Sequence, residues 1–227
     1  MSIRLWNLEE TAAFLNLEEK EVRTLVTAGE LPCVQQGSRM LFDPEEVDAW
    51  YSHRLIRRIT LPPPPAPAHT GKSLLDYCRP ETMDPALPGR TKPAILKALT
   101  ALAENAGLLY DPAEFLESLR KREDLSSTAM AEGIALVHPL TRDEYSCQEP
   151  FLAVARSQSP VFFGEPSGIP TDLFFLLCSP NPEEHLFILA QLCQLATQKE
   201  FLQTLREATT PQEMMAAFPQ NPPAENG

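Results

Sequence analysis

Hydrophobic and polar positions in the first 58 residues follow a helical period interrupted by turn signals. Asn7 precedes an apolar-periodic run and Glu10 stands three positions later, which is the pattern of a capped helix start. Residues 17–28 repeat the helical spacing and Gly29 follows them, as expected at the end of a second helix. The pattern therefore predicts two short helices joined by a tight turn.

A hairpin and a third helix are predicted next. Residues 31–42 read as two short strands with a turn at 36–38, where glycine allows a left-handed backbone. Asp43 and Pro44 then open a helix, because proline is well tolerated in the first helical turn. The apolar positions of this helix that should face inward are Val47, Trp50 and Tyr51.

The rest of the chain alternates helix-length and strand-length patterns. Amphipathic segments at 91–107, 111–123, 182–197 and 199–208 are typical of helices. Apolar runs of strand length occupy residues 133–138, 151–155, 160–163 and 172–178. Helices framing a mostly buried sheet predict the α/β fold class for this region, beside a small and mostly helical N-terminal domain.

A proline-rich stretch divides the two patterns. Residues 61–71 contain five prolines, which fix the backbone and remove hydrogen-bond donors. We expect domains at 1–58 and 72–217, a linker at 59–71 and a disordered tail at 218–227. The linker could alternatively present a proline motif to a partner.

Charge and composition favour some classes of partner, location and site over others. The formal net charge of −12 repels nucleic acid at long range and favours a basic protein partner. No apolar run reaches the roughly 18–20 residues that span a bilayer, and the start lacks the features of a secretory signal, so we expect a cytoplasmic protein without membrane insertion. The five scattered cysteines form no CxxC pair, which argues against a zinc ribbon or a disulfide framework.

The N-terminal order of helix, turn, helix, wing and helix resembles excisionase and MerR-like helix-turn-helix domains, over residues 8–50. The resemblance implies DNA contacts by the second helix and the wing, through Lys20, Arg23, Thr24 and Arg39. Residues 1–58 nevertheless carry seven Lys and Arg against ten Asp and Glu. A protein-interaction or dimerisation module, including a homodimer, is therefore the alternative to DNA binding.

Four stretches of the second domain resemble the fructose/mannitol/nitrogen-regulatory type of EIIA domain of the bacterial sugar phosphotransferase system (PTS EIIA type 2). They are residues 73–103, 122–138, 160–177 and 182–196. The resemblance implies an IIA-type mixed β-sheet flanked by helices. It also implies a phosphoacceptor at His138, a second active-site histidine at His185, and supporting roles for Arg122 and Thr128.

The residue types suit that chemistry. A neutral imidazole attacks phosphorus near pH 7, an arginine neutralises the phosphoryl oxygens, and a threonine hydroxyl can orient the ring. The sequence departs from the family pattern at Val137, where proline is usual, and at Ala129 and Ala131, where glycines are usual. If those glycines had positive φ, alanine would strain the loop.

The resulting hypothesis is a phosphocarrier or regulatory protein. A phosphohistidine carrier protein (HPr-like) would phosphorylate His138, and the N-terminal domain would couple this state to DNA or protein binding. A IIB protein or another regulatory protein is a further candidate partner. Whether the domain acts as a phosphotransferase component is left open, since a non-catalytic IIA-like sensing or interaction module on a transcriptional regulator is the alternative. A metal site on the two histidines is a third reading, although no metal or cofactor is predicted.

Overall fold

The computed structural model describes residues 5–15, 17–37, 39–44, 46–47, 50–51, 54, 72–140, 146–165 and 168–219. The chain divides into two compact units, Met1–Ala68 and His69–Gly227. The predicted linker at 59–71 and residues 220–227 lie outside the described residues.

The first unit begins with two capped helices, α1 (Leu8–Leu15) and α2 (Glu19–Thr27). Asn7 Oδ1 accepts from the Glu10 amide at 2.9 Å, and Glu10 Oε2 accepts from the Asn7 amide at 2.8 Å, so the predicted capping box is present. A second capping box, formed by Glu18 and Glu21, starts α2. Gly29 follows α2 with a φ of 71°, a left-handed conformation that glycine adopts without steric cost because it has no Cβ.

A two-stranded hairpin and a further helical segment complete the first unit. Strand β1 (Val34–Gln36) pairs antiparallel with β2 (Arg39–Leu41), and Gly37 occupies the turn with positive φ, as predicted. The described residues between 44 and 54 are helical. The core of the unit consists of fully or almost fully buried side chains, namely Leu15, Val22, Leu31, Phe42, Val47 and Tyr51.

The second unit alternates strands and helices around one sheet. Its strands are β3 (Met83–Leu87), β4 (Ala129–Met130), β5 (Ile134–Val137), β6 (Phe151–Val161) and β7 (Thr171–Cys178). Its helices are α3 (Lys92–Asn105), α4 (Pro112–Leu125), α5 (Pro182–Leu195), α6 (Lys199–Glu207) and α7 (Pro211–Ala216). Two short 3₁₀ turns, Leu74–Tyr77 and Pro80–Thr82, precede β3.

The sheet is mixed and has the strand order β3-β6-β7-β5-β4. Strand β3 runs parallel to β6, and β5 runs parallel to β7, whereas β6 with β7 and β4 with β5 are antiparallel. Pro85 lies in β3, where its missing donor is tolerated because β3 is an edge strand. This arrangement agrees with the mixed sheet that the resemblance implied.

One strand prediction was wrong in detail. Residues 151–155 and 160–163 were expected to form two strands, but β6 is a single strand of 11 residues. Its pairing with β7 shifts in register between Arg156 and Val161. The polar stretch between the two apolar runs therefore marks this irregularity and not a chain reversal.

Helices α3 and α4 pack on the sheet and bury a continuous apolar core that includes Leu99, Phe115 and Phe174. Burial of each such side chain stabilises the folded state by roughly 1.5–3 kcal/mol relative to leaving it exposed. The assignment of Phe218 to a disordered tail was wrong, because Phe218 is 2% exposed and its ring packs against Phe201 at 5.2 Å. Phe218 follows α7 (Pro211–Ala216), a helix that the sequence pattern did not predict.

Candidate functional site

Two histidines lie side by side at the carboxyl ends of two neighbouring strands because of the sheet topology. Strands β5 and β7 are parallel neighbours, so their carboxyl ends lie side by side. His138 directly follows β5, and His185 lies in the first turn of the helix that follows β7. Their ring centroids are 5.4 Å apart with an interplanar angle of 65°. Both side chains are fully buried.

The contacts of the His138 ring define its tautomer. Arg122 Nε donates to His138 Nε2 at 2.9 Å, and an arginine nitrogen can only donate, so Nε2 has an unprotonated lone pair. Nδ1 lies 2.9 Å from the Leu136 carbonyl oxygen, which can only accept. The ring is therefore neutral, with its proton on Nδ1 and its nucleophilic nitrogen at Nε2.

Arg122 reaches the ring from the last turn of α4. Its side chain is 2% exposed, and its Nη1 also donates to the Ser126 carbonyl at 2.9 Å. A guanidinium held by two directed hydrogen bonds has a fixed orientation. The predicted neighbours His138, His185 and Arg122 are thus brought together by this structure.

Thr128 has a different hydrogen-bond partner from the predicted one. Its side chain is fully buried, but its hydroxyl donates in a short hydrogen bond to Glu123 Oε1 and not to the His138 ring. The Thr128 amide donates to the same oxygen at 3.0 Å. Thr128 therefore fixes the loop that precedes β5, and its link to the ring is indirect.

Glu123 and Lys92 were missed by the sequence analysis. Lys92 Nζ lies 2.8 Å from Glu123 Oε2, and the Glu123 side chain is 1% exposed. The signal available in the sequence was the pair Arg122-Glu123, of which only the arginine was considered. Lys92 is separated from that pair by 30 residues, so nothing in the spacing pointed to it.

The loop between β4 and β5 tolerates alanine where glycine was expected. Among the described non-glycine residues only Glu132 has positive φ, at 64°, and Gly133 follows with 74°. Ala129 and Ala131 have no positive φ, so the condition under which alanine would strain the backbone at these two positions is not met. Arg206 stabilises the turn, since its Nη2 donates to the Glu132 carbonyl at 2.5 Å and to Asp172 Oδ1 at 2.7 Å.

A second buried carboxylate lies beside His185 in sequence. Glu184 Oε1 accepts from Tyr77 at 3.0 Å and from Lys72 at 3.1 Å, and Oε2 accepts from Ser179 at 3.0 Å. Burial, followed by the hydrogen bond and the charge of Glu184, raises the pKa of Tyr77 well above its ordinary value of 10.0. This cluster connects the start of α5 to the segment before β3.

The first unit has its predicted DNA-contacting residues on its surface. Lys20, Arg23, Thr24 and Arg39 are all exposed. Arg23 and Arg39 line one cleft of about 420 Å³, and Arg23 Nη1 lies 3.9 Å from Met40 Sδ. Glu9 and Glu19 line the same cleft, so its charge is mixed. The Thr24 hydroxyl donates to the Lys20 carbonyl at 2.9 Å.

The residues that the structure describes contain neither a cluster suited to a metal ion nor a membrane-spanning helix. Among those residues, no group of three or more His, Cys, Asp or Glu side chains has an arrangement that could hold a metal ion. Within the same residues, no helix has both the length and the apolar character needed to cross a membrane.

Comparison with protein families matches both units. Residues 77–221 match the family model described as phosphoenolpyruvate-dependent sugar phosphotransferase system, EIIA 2. Residues 7–58 match the model of a helix-turn-helix domain. Both matches agree with the two resemblances drawn from the sequence.

Individual relatives lead to the same result. The chain is 33% identical to a nitrogen regulatory protein of Pseudomonas aeruginosa, over 55% of this chain and 80% of the relative. It superposes on the nitrogen regulatory protein IIA-Ntr of Neisseria meningitidis with a TM-score of 0.57 and 26% identity, covering 63% of this chain and 97% of the other. A complex of enzyme IIAMTL with phosphorylated enzyme IIBMTL from Escherichia coli shares the fold, at 18% identity, TM-score 0.53, and coverage of 62% and 95%.

Proposed function

Since the chain belongs to the EIIA 2 family of the phosphoenolpyruvate-dependent sugar phosphotransferase system, we propose that its second unit accepts a phosphoryl group on His138 and acts as a phosphorylation-dependent regulator. The observation that carries this proposal is the Nε2 lone pair of His138, which is defined by the Leu136 carbonyl on one side of the ring and by Arg122 on the other. A neutral imidazole with one designated nitrogen is the form that attacks phosphorus.

The transfer is a simple exchange of one P–N bond for another. His138 Nε2 attacks the phosphorus of a phosphohistidine on a carrier protein, and the donor's P–N bond breaks with its electron pair returning to the donor ring. The His138 proton stays on Nδ1, bonded to the Leu136 carbonyl. Arg122 moves its donors from Nε2 to the phosphoryl oxygens, which lie beside that nitrogen in the product.

His185 provides a second imidazole at the reacting edge. Its ring contacts that of His138 at a centroid distance of 5.4 Å, close enough to donate to a phosphoryl oxygen attached to Nε2. Burial of both rings strengthens such hydrogen bonds, because the local dielectric constant is low. We assign His185 to phosphate stabilisation and not to acceptance.

The proposed donor is a phosphohistidine carrier protein, and a IIB protein is one candidate acceptor. The IIAMTL domain of Escherichia coli, which shares the fold, forms a complex with phosphorylated IIBMTL. The net charge of −12 on this chain favours a partner with a basic face. Phosphorylation adds further negative charge and acceptor oxygens, which changes docking.

The first unit is proposed to connect this state to DNA. The match to a helix-turn-helix domain supports it, as do the exposed Arg23 and Arg39 on one cleft. Glu9 and Glu19 in the same cleft weaken phosphate attraction, so we expect a modest and strongly salt-dependent affinity.

One observation favours a second candidate function. His138 and His185 are both 0% exposed, and Arg122 occupies the nucleophilic nitrogen. A domain that remained in this closed state would serve as a non-catalytic sensing or interaction module. The two functions differ in whether a phosphorylated carrier opens the site.

Phosphorylation of the purified chain separates them. The chain is incubated with phosphoenolpyruvate and the general phosphotransferase proteins of its source, and intact mass is followed for acid-labile, base-stable phosphate. We expect one phosphate, absent in His138→Ala, much slower to appear in His185→Ala, and unchanged in the matched control His69→Ala. An unlabelled wild-type chain, beside an IIA protein that labels in the same tube, would overturn phosphoryl acceptance and favour the interaction module.

A further inference from the structure

The carboxylate that follows Arg122 in α4 is buried and held by two residues. Glu123 Oε2 accepts from Lys92 Nζ at 2.8 Å. Glu123 Oε1 accepts from the Thr128 amide at 3.0 Å and from the Thr128 hydroxyl. A buried carboxylate with several directed donors is fixed in position, because each donor restricts a different direction.

The position of Lys92 is unfavourable for its own helix. Lys92 is the first residue of α3, where the helix dipole disfavours a cation. Its ammonium nevertheless lies over the Phe163 ring at 4.8 Å and pairs with Glu123. The carboxylate of Glu123 therefore compensates the positive charge of Lys92, which the start of α3 does not.

Hydrogen bonds connect this pair to the His138 ring. The Thr128 carbonyl accepts from the Leu136 amide at 3.1 Å. The Leu136 carbonyl in turn lies 2.9 Å from His138 Nδ1, and Arg122 bonds to the other ring nitrogen. Arg122 and Glu123 are consecutive residues of α4, so the connections form a closed circuit around the ring.

We infer that Glu123, held by Lys92, is a positioning residue that sets the tautomer and orientation of His138 through Thr128 and β5. The kinetic consequence rests on the proposed phosphoryl acceptance, whereas the consequence for the ring does not. Glu123 touches neither ring nitrogen in the contacts above, so it acts through its neighbours.

Glu123→Gln tests the inference while preserving the shape of the side chain. We expect the initial rate of His138 phosphorylation to fall about 10- to 100-fold, because small misplacements of reacting groups have effects of that size. Nitrogen-15 NMR of the histidine rings should show loss of the pure Nδ1-protonated form of His138. If Glu123→Gln does not fold, Thr128→Val is used, which keeps the backbone bond and removes only the hydroxyl.

A charge-rescue pair adds a readout that a merely structural role would not move. Lys92→Met leaves the Glu123 carboxylate buried without its cation and should reduce the rate more than Glu123→Gln does. The double variant Lys92→Met with Glu123→Gln should recover several-fold over Lys92→Met, because a neutral amide needs no counter-ion. A double variant no faster than Lys92→Met would contradict the inference.

Asp172→Asn is the matched control. It removes the charge of the partly buried pair with Arg206 and leaves the Arg206 bond to the Glu132 carbonyl in place. Asp172 precedes Leu173, the partner of Ile134, so it is level with a point five residues before His138, about 17 Å away at roughly 3.3 Å per residue. We expect it to lower thermal stability while the phosphorylation rate stays within about twofold and the His138 tautomer is unchanged. If Glu123→Gln behaves like Asp172→Asn in both readouts, Glu123 is structural only and the inference is wrong.

Failure of the two proposals can be distinguished. If the wild-type chain takes no phosphate, phosphoryl acceptance fails, but the NMR comparison still decides the positioning role. A His138 tautomer that changes in Glu123→Gln and not in Asp172→Asn supports that role, and one that changes in neither overturns it.

Discussion

The two units place their candidate functional residues in opposite environments. In the second unit His138, Arg122, Thr128 and His185 are at most 2% exposed. In the first unit Lys20, Arg23, Thr24 and Arg39 are all exposed. A buried site depends on fixed geometry, whereas an exposed one depends on the net field of many charges. Residues inferred by the same kind of resemblance therefore need different tests.

The two arginines illustrate the difference. Arg122 makes hydrogen bonds of 2.9 Å to the His138 ring and of 2.9 Å to the Ser126 carbonyl. Among the described residues, the Arg23 side chain has a 4.0 Å contact with Glu19 and a weak 3.9 Å contact with the Met40 sulfur, and it is 55% exposed. Surface pairs of that kind contribute about 0–1 kcal/mol, so Arg23 remains available to a ligand.

The largest effect is expected from removing the buried arginine. Arg122→Ala should slow phosphorylation of His138 about 10²–10³-fold, because it deletes a preorganised donor for the phosphoryl oxygens. Initial rates by intact mass measure this, with Arg120→Ala as a control at an exposed position of the same helix. A fall in the rate of less than about threefold would contradict this prediction, since phosphoryl transfer would then not depend on the buried arginine.

The second prediction concerns the limited space around this site. Gly164 has a φ of 113°, and a Cβ there would lie 2.9 Å from Ser127 Oγ. Gly164→Ala should destabilise the chain by about 1–3 kcal/mol through overpacking and backbone strain. Gly168→Ala is the control, because its φ is 78° but nothing lies within 4 Å of the added atom. Denaturant titrations measure the free energy of unfolding. An equal decrease in the two variants would show that the close contact with Ser127 contributes nothing to the effect.

The third prediction tests the exposed surface. Arg23→Ala and Arg39→Ala should each reduce the slope of log K against log salt for DNA binding by about 1, without lowering the melting temperature. Fluorescence anisotropy at several salt concentrations measures the slope, and Arg120→Ala should leave it unchanged. If neither arginine alters binding, or DNA is not bound at low salt, the first unit is better explained as a protein-interaction module.

The smallest effect at neutral pH is expected in the core of the first unit. Burial raises the pKa of Tyr51 from 10.0 to about 12. Its contribution to stability is therefore complete below pH 10 and is lost as pH rises towards 12, because only the unfolded state ionises there. Tyr51→Phe should make unfolding of this unit less sensitive to pH between 10 and 12. Tryptophan fluorescence reports this unit, since both tryptophans, Trp6 and Trp50, lie in it; an unchanged pH dependence would contradict the assignment.

Local signals in the sequence were enough for most of the elements. The capped start at Asn7, the turn at Gly37, and the proline-led helices at 92–105 and 112–125 are set by nearby residues, and all are present. Two strands were predicted where β6 is one strand, because a register shift and a chain reversal both interrupt an apolar run. Helix α7 is only six residues long, which gives little periodicity to detect.

The site was only partly predictable for a different reason. His138, His185 and Arg122 were identified by resemblance, and sheet topology accounts for their proximity. Glu123 and Lys92 form a contact across the fold that no spacing rule describes. The conformation of the 129–133 loop also depends on Arg206 and Asp172, which lie far away in sequence.

The carbonyl that receives the Nδ1 proton of His138 belongs to the backbone of Leu136. A side-chain anchor can disappear through one nucleotide change, but every residue type retains its carbonyl oxygen. The position of the ring proton therefore depends on the path of β5, and only substitutions that displace this strand, as we expect of those at Glu123, should change it. Replacement of the usual proline by Val137 is consistent with this, since β5 continues through Val137 and its carbonyl geometry persists. Substitutions around such a histidine that leave β5 in place should keep the proton on Nδ1.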